Sequence, residues 1–214
     1  WYNTSLRKAL KIAAFNCAGL SAHYEDLLAD YNLLKADIIH LSETSLTSEA
    51  MQFGIPGYQV NHCIVSRGKG VSTYYGTRVA DKLIDLETVK GASFSISKVQ
   101  LEDMDSINVY KSSDASIPGT LEMIRNLIEP DKPTLISGDF NLCYRTNATN
   151  TLTASLLSEG FEQLVTEATQ IMGGMIDHLY WRDSQEPQYK KPTVERRSSY
   201  YSDHDILMVT LVHK

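Results

Sequence analysis

Apolar positions along this chain repeat in two rhythms, one of helices and one of strands. Residues 11–15 (KIAAF) read as a strand, and residues 16–20 as the loop that leaves it. Ser21 can cap a helix whose apolar face is Tyr24, Leu27, Leu28, Tyr31 and Leu34, spaced three and four apart. Residues 36–41 are then a short buried strand that runs out near Glu43. The middle of the chain switches to strands over residues 58–65, 71–77, 93–101 and 106–111, separated by glycine or charged turns such as Arg67-Gly68-Lys69-Gly70. Thr120 opens a second helix through Leu121, Ile124 and Leu127 that Pro130 ends. A strand at 134–137 follows, with Gly138 letting the backbone turn sharply before Asp139. A third helix at 152–158 is stopped by Gly160, and strands at 176–181 and 206–212 complete the pattern.

Helices and strands alternate at both ends of a β-rich centre, and no linker-like segment divides them. That pattern fits two packed sheets with helices outside, as a single domain over residues 1–214. At 214 residues and 24.0 kDa the chain is long enough for a substantial core. No apolar run approaches the roughly 20 residues of a membrane helix, so no membrane partner is expected. The first residues do not read as a signal peptide. Cys17, Cys63 and Cys143 are odd in number and lack CxxC spacing, which favours a reducing intracellular setting, nuclear or cytoplasmic, over a disulfide framework. Asn3-Thr4-Ser5 and Asn147-Ala148-Thr149 fit the short glycosylation pattern, which we set aside as chance matches. The net charge of −6 argues against coating nucleic acid by bulk electrostatics. Basic residues do cluster at Arg67 and Lys69 and over residues 190–197, as phosphate contacts or as a solvated loop.

The candidate chemistry sits where strands end. Asn16 closes KIAAFN, Glu43 follows IIHLS, and Asp139 and Asn141 flank Phe140 in SGDFN. Asp177 opens DHLYW, and Ser202, Asp203 and His204 precede DILMV. A carboxylate straight after a buried strand is costly unless compensated, so Glu43 is the first metal-ligand candidate, with Asn16 holding the metal or orienting it. Read singly, Glu43 is better taken as a surface or helix-capping residue, and Asn16 can be an ordinary loop asparagine; the other motifs together favour the metal reading. Asp139 and Asn141, on one side of an extended segment, can align or deprotonate an attacking water and bond a phosphate; an Asx-turn is the plainer alternative. His204, with Asp177 fixing its tautomer, can donate to a phosphate oxygen as charge builds. Asp203 can bind metal or help protonate a leaving oxygen. Tyr110 can bond the phosphate or be a half-buried strand aromatic, with Lys111 or Ser112 adding a contact and Ser202 a further substrate contact. His178 and Trp181 read as packing residues. Oxygen ligands and few of them suit Mg²⁺, with Mn²⁺ able to substitute.

The order of these motifs resembles the endonuclease/exonuclease/phosphatase superfamily over residues 11–211. The resemblance implies a four-layer α/β sandwich of two mixed sheets flanked by helices. It implies metal positions at Asn16 and Glu43 and a phosphate-contacting Tyr110. Asp139 and Asn141 match the nucleophile-orienting pair, Asp177 and His204 the aspartate–histidine pair, and Asp203 the carboxylate beside it. Within the superfamily, GGMIDHLYW and SSYYSDHDILMVTL look most like endonuclease domains of non-long-terminal-repeat retrotransposons and related mobile elements. Such a domain nicks one strand of double-stranded DNA to leave 3′-hydroxyl and 5′-phosphate ends, with a reverse transcriptase or other mobile-element enzyme fused in the parent protein. Apurinic-site repair and phospholipid or inositol-phosphate hydrolysis are the alternatives in the same superfamily. Ala18 departs from the repair enzymes, which carry a carboxylate two residues after the first asparagine. Residues 112–119 and 182–201 are the candidate specificity loops.

Overall fold

The computed structural model describes residues 9–48, 53–147 and 150–214. Among these residues, twelve strands form two six-stranded mixed sheets. The first contains β1 (Ala9–Asn16), β2 (Ile38–Ser42), β3 (Tyr58–Cys63), β4 (Val71–Gly76), β11 (Thr193–Ser198) and β12 (Asp205–Val212), in the order β11-β12-β1-β2-β4-β3. The second contains β5 (Leu83–Lys90), β6 (Phe94–Leu101), β7 (Asp105–Lys111), β8 (Thr134–Asp139), β9 (Glu162–Gln163) and β10 (Asp177–Arg182), in the order β5-β6-β7-β8-β10-β9. One parallel pair sits inside each sheet, β1 with β2 and β7 with β8, each joined by a helical crossover.

Strand periodicity divides the side chains into layers. Ile12 and Ala14 of β1, Ile38 of β2, Leu135 of β8, Leu179 and Trp181 of β10, and Leu207 and Val209 of β12 face inward and fill the space between the sheets. The alternate residues Ala13, Phe15, Ile39 and Leu41 face outward, under α1 (Leu20–Ala29) and a 3₁₀ turn (Leu33–Lys35). On the other side Ile107, Val109, Ile136 and Tyr180 face outward, under α3 (Ile117–Leu127) and α5 (Thr151–Ser158). Two further short helices, α2 (Thr77–Ala80) and α4 (Tyr144–Asn147), lie in connections. The result is the expected four-layer sandwich.

Several local expectations shift. Gly19, with φ 106 and no side-chain cap, precedes α1, so Ser21 lies inside the helix rather than capping it. That helix ends at Ala29; Leu34 belongs to the separate 3₁₀ turn, and Tyr31 is exposed. Ser116 caps α3 by accepting from Gly119 N–H, four residues before the expected start at Thr120. Residues 193–198, within the basic cluster, are the edge strand β11, and β5 is a strand the pattern gave no sign of. Arg196 pairs with Glu167 and Asp205, and Lys191 with Glu162, so part of that cluster's charge is met internally. Asn3, Ala148 and Thr149 of the glycosylation patterns lie outside the described residues.

Along the inward phase the character changes from apolar to polar. His40, Ser42, Thr73, Ser97, Ser106 and Asn108 are all buried there. His40 Nδ1 is 3.0 Å from Thr73 Oγ1 and its Nε2 is 2.7 Å from Ser106 Oγ, so one imidazole ties both sheets together. Asn108 Nδ2 reaches across to the Leu41 and Ser72 carbonyls. This polar seam leads to the rim where β1, β2, β7 and β8 end and β10 begins.

Candidate active site at the mouth of the sandwich

Continuing the inward phase one step past the seam gives Asn16 on β1, Tyr110 on β7, Asp139 on β8 and Asp177 on β10. Register places Tyr110, Asp139 and Asp177 side by side across the second sheet. Directly opposed like charges are unfavourable, so this row demands compensation from outside the sheet. It comes from the first sheet. Asn16 Nδ2 donates to Asp139 Oδ2 at 2.8 Å and to Glu43 Oε2 at 2.9 Å, while its Oδ1 accepts from Ala18 N–H at 2.9 Å. The amide therefore clamps two carboxylates from two strands.

His204, at the entrance to β12, meets Asp177 with Nδ1 2.8 Å from Oδ2. Its Nε2 lies 3.4 Å from Asn16 Nδ2 and 3.9 Å from Asp203 Oδ1. Burial favours the neutral ring, but the Asp177 hydrogen bond and the charges of Asp177, Asp139 and Asp203 outweigh it and raise the imidazole to about 9. Asp139 is raised as well, which for a carboxylate favours the neutral form. Burial and then the Asp177 charge push it up to about 7, against opposing pulls from His204, Asn141 and Asn16. The protein thus supplies one imidazolium for the acids gathered here.

Local backbone explains how these groups converge. Among the described residues five non-glycine positions have positive φ, and Ala18, Glu43, Ser45 and Asn141 are four of them, all around this rim. Left-handed backbone at non-glycine positions stores strain, and its concentration at one place marks a built site. Asn141 reaches the cluster through such a turn, with φ 49 and its N–H donating to Asp139 Oδ1 at 2.8 Å. The expected extended alternation is therefore replaced by an Asx-turn. Asn141 Nδ2 donates to the Lys111 carbonyl and lies 3.4 Å from Asp139 Oδ2. Phe140 between them is fully buried and stacks on His178, which is itself buried and bonded to Tyr180 and the Leu142 carbonyl.

Gly138 has a different role from the sharp turn anticipated. A Cβ at this position, with φ 136, would lie 1.9 Å from the Val109 carbonyl oxygen of the neighbouring parallel strand. Only glycine lets β7 and β8 approach closely enough to set Asp139 beside Tyr110.

The remaining candidates are placed as follows. Tyr110 donates its hydroxyl to the Gly68 carbonyl at 3.0 Å, and burial raises its pKa. Ser202 Oγ donates to the Asn16 carbonyl at 2.7 Å and accepts from His204 N–H, so it braces the loop. Asp203 is half exposed and accepts from Gln170 Nε2. The side chains of Lys111 and Ser112 are held away from the cluster, although the Lys111 carbonyl accepts from Asn141. Lys111 is buried with Nζ on the Ser112 carbonyl, and Ser112 Oγ bonds Asp114 and the Ser93 carbonyl. The sequence reading passed over Thr169. This fully buried side chain accepts from Asp177 N–H, and its carbonyl accepts from Asp205 N–H, holding the starts of β10 and β12 together. Its signal was only a threonine before the GGMIDH motif.

The donor set can be tested for a cation. Ligand atoms of Asp139, Asp177 and His204 lie within 4.8 Å of one another, and the Glu43 and Asp139 oxygens share one amide donor. Buried carboxylates outnumber the imidazole, and oxygen donors predominate, which fits a hard divalent cation.

No protein-family model and no curated protein matches the sequence. Solved structures do match. The endonuclease domain of TRAS1, a telomere-specific non-LTR retrotransposon, gives a TM-score of 0.67 at 13% identity, covering 96% of this chain and 99% of that one. An AP endonuclease from Archaeoglobus fulgidus gives 0.64 at 16% identity, covering 94% and 98%. A 3′ phosphatase from Neisseria bound to a product DNA hairpin gives 0.69 at 17% identity, covering 96% and 99%. The fold is that of the endonuclease/exonuclease/phosphatase proteins. At these identities the likeness concerns the endonuclease/exonuclease/phosphatase fold itself; the site described above is this chain's own.

Proposed function

We propose that this domain is a divalent-metal-dependent phosphodiesterase that nicks one strand of double-stranded DNA, leaving 3′-hydroxyl and 5′-phosphate ends, in the service of a mobile element whose protein also carries a reverse transcriptase. The observation that carries the reading is the Asn16 clamp on Glu43 and Asp139 beside the Asp177–His204 pair. The TRAS1 likeness supports the mobile-element role, and Ala18 in place of a carboxylate favours nicking over apurinic-site repair. The DNA in the Neisseria phosphatase supports nucleic acid as the substrate class.

In this reading Glu43 and Asn16 hold Mg²⁺ or Mn²⁺. The cation supplies Lewis-acid stabilisation of a phosphoryl oxygen when bound. Asp139, held by Asn16 and the Asn141 N–H, accepts the proton of the attacking water. That water approaches phosphorus opposite the departing 3′ oxygen. His204, kept cationic by Asp177, donates from Nε2 to the phosphate as charge accumulates. Asn141 orients the same phosphate, and Tyr110 joins it when its hydroxyl leaves the Gly68 carbonyl for a phosphate oxygen. Asp203, open to solvent, relays a proton from bulk water to the departing 3′ oxygen.

The test is supercoiled plasmid with Mg²⁺, beside an EDTA control and Asp139→Ala. Relaxed circles from the wild type alone, with ends that a ligase reseals, are expected. Intact plasmid in every lane, with turnover of a phosphoinositide or sphingolipid instead, would overturn the DNA assignment.

A further inference from the structure

His178 follows Asp177 on β10 and turns to the outer face of the second sheet, in register with Gly138 of β8. The ring is fully buried and lies on Phe140, with centroids 5.0 Å apart and planes 13° from parallel. A phenylalanine would fill such a place without burying polar atoms, so the two ring nitrogens need an account. Nε2 lies 2.8 Å from the Leu142 carbonyl and 3.2 Å from the Met175 carbonyl. Carbonyls only accept, so the proton is on Nε2. The ring's hydrogen-bond partners include no carboxylate and burial keeps it neutral, which leaves Nδ1 bare. The Tyr180 hydroxyl, 3.0 Å away, therefore donates to Nδ1. Thr153 Oγ1 of α5, 3.1 Å from that hydroxyl, donates to it in turn. One direction of donation thus runs from α5 through two rings to two carbonyls, and satisfied buried networks of this kind are rigid.

The two carbonyls belong to different loops. Leu142 follows Asn141 in the turn that leaves Asp139, and Met175 lies two residues before Asp177. Backbone bonds already join these loops, from Phe140 N–H to the Ile176 carbonyl and from Tyr144 N–H to the Met175 carbonyl. The imidazole adds a side-chain bond that reaches both loops at once. Asn141, within the first of them, has φ 49, and such a residue keeps its place only where its surroundings over-determine it. Asp139 and Asp177 are register partners. A slip between the loops would therefore move the Asp139 carboxylate relative to the one that holds His204.

We propose that His178 is a positioning residue for the reaction: through Nε2–H it ties Leu142 to Met175 and so sets the Asp139–Asn141 turn against Asp177. This rests on the DNA-nicking reading and adds to it a residue that touches neither the DNA nor the cation. Moving reacting groups by about 1 Å can cost on the order of 10²-fold in rate while leaving binding intact. The nitrogen carries this role, and the bulk of the ring does not.

Two variants separate nitrogen from bulk. His178→Phe keeps a flat ring on Phe140 and removes both nitrogens, whereas His178→Gln brings an amide N–H to the place of Nε2. The measurements are single-turnover nicking of supercoiled plasmid with Mg²⁺, folded fraction by circular dichroism, and affinity for the same DNA in EDTA. Per folded molecule, His178→Phe should nick about 10²-fold more slowly at unchanged DNA affinity, and His178→Gln should recover at least about a tenth of the wild-type rate. A wild-type rate in folded His178→Phe, an equal loss in both variants, or a loss confined to DNA affinity would overturn the positioning role and leave nicking standing. Nitrogen NMR of the wild-type imidazole, assigned by its loss in His178→Gln, decides the case even if His178→Phe does not fold. A proton on Nε2 is expected there, and a proton on Nδ1 would overturn the proposal. Absence of nicking by the wild type would remove the nicking reading and the positioning role with it.

Discussion

Asn16 donates its side-chain amide to Asp139 across 2.8 Å, joining the ends of β1 and β8 from the two different sheets. These residues are 123 apart in sequence, and the same nitrogen also holds Glu43. The bond fixes where two carboxylates sit relative to each other, so the site depends on how the sheets pack. Asn16→Ala leaves both acids without their shared donor. Catalytic rate should fall roughly 10²–10³-fold, and folding stability should fall by about 1–3 kcal/mol for the buried Asp139 acceptor. Single-turnover nicking and urea denaturation of the same preparation measure the two effects.

A cation at this cluster should be visible without turnover. Because it would bind the folded chain and find no preassembled site in the unfolded one, saturating Mg²⁺ or Mn²⁺ at about 100 times its Kd should add roughly 2.7 kcal/mol. EDTA should remove this increment. Glu43→Gln, which keeps the shape and discards the charge, should lose most of the increment. Thermal melts with and without metal, for wild type and variant, decide the matter. Equal metal-induced shifts in both proteins would move the cation away from Glu43.

How much of this was legible in the sequence varies by residue, for physical reasons. The inward phase of β1, β2 and β8 could be read directly, because Ile12, Ile38 and Leu135 alternate with outward apolar residues that helices cover. That phase also places Asn16 and Asp139 on the inner face. By contrast β11 reads TVERRS, an edge strand with no buried apolar face, and β5 carries a register shift between Leu83 and Asp85 that breaks the period-two signal. The positive φ of Ala18, Glu43 and Ser45 left no mark, since none is glycine, asparagine or aspartate. Thr169 was invisible because its role is fixed by two strands that meet only in the folded chain.

Two buried histidines, His40 in the seam between the sheets and His178 on the outer face of the second sheet, should make the protein sensitive to acid. His40 is fully buried against two hydroxyls, with no carboxylate among its hydrogen-bond partners, and burial lowers its pKa to about 3. His178 is lowered to about 4 by burial, which outweighs its two carbonyl contacts and Asp177. An unfolded histidine takes up a proton near pH 6.5, whereas these two refuse it until far lower pH. The unfolded state therefore binds more protons across that window, and stability falls as pH falls through it. Each histidine contributes a loss of roughly 1.4 kcal/mol per pH unit below about 6. In His40→Gln the slope of unfolding free energy between pH 6 and 4.5 should drop by about one proton's worth. Urea midpoints over that range measure the slope, and an unchanged slope would rule out His40 as a source.

Of the glycines, Gly138 should tolerate substitution by alanine least. The added carbon would sit 1.9 Å from Val109 O and 2.8 Å from Val109 C, both backbone atoms inside a parallel strand pair. No side-chain rotation can relieve that contact, so β7 and β8 must separate or lose register. Overpacking of this kind costs roughly 3 kcal/mol, and positive φ at a residue with a Cβ adds strain. The displacement falls one residue before Asp139 and directly beside Tyr110, its partner in register. Activity should therefore fall further than stability predicts, with nicking lost even below the temperature at which the variant begins to melt. Parallel circular dichroism and plasmid assays at 10 °C distinguish the two. A variant that melts early but nicks at the wild-type rate when folded would show that Asp139 tolerates movement of β8, and would weaken its assignment as the group that takes the water's proton.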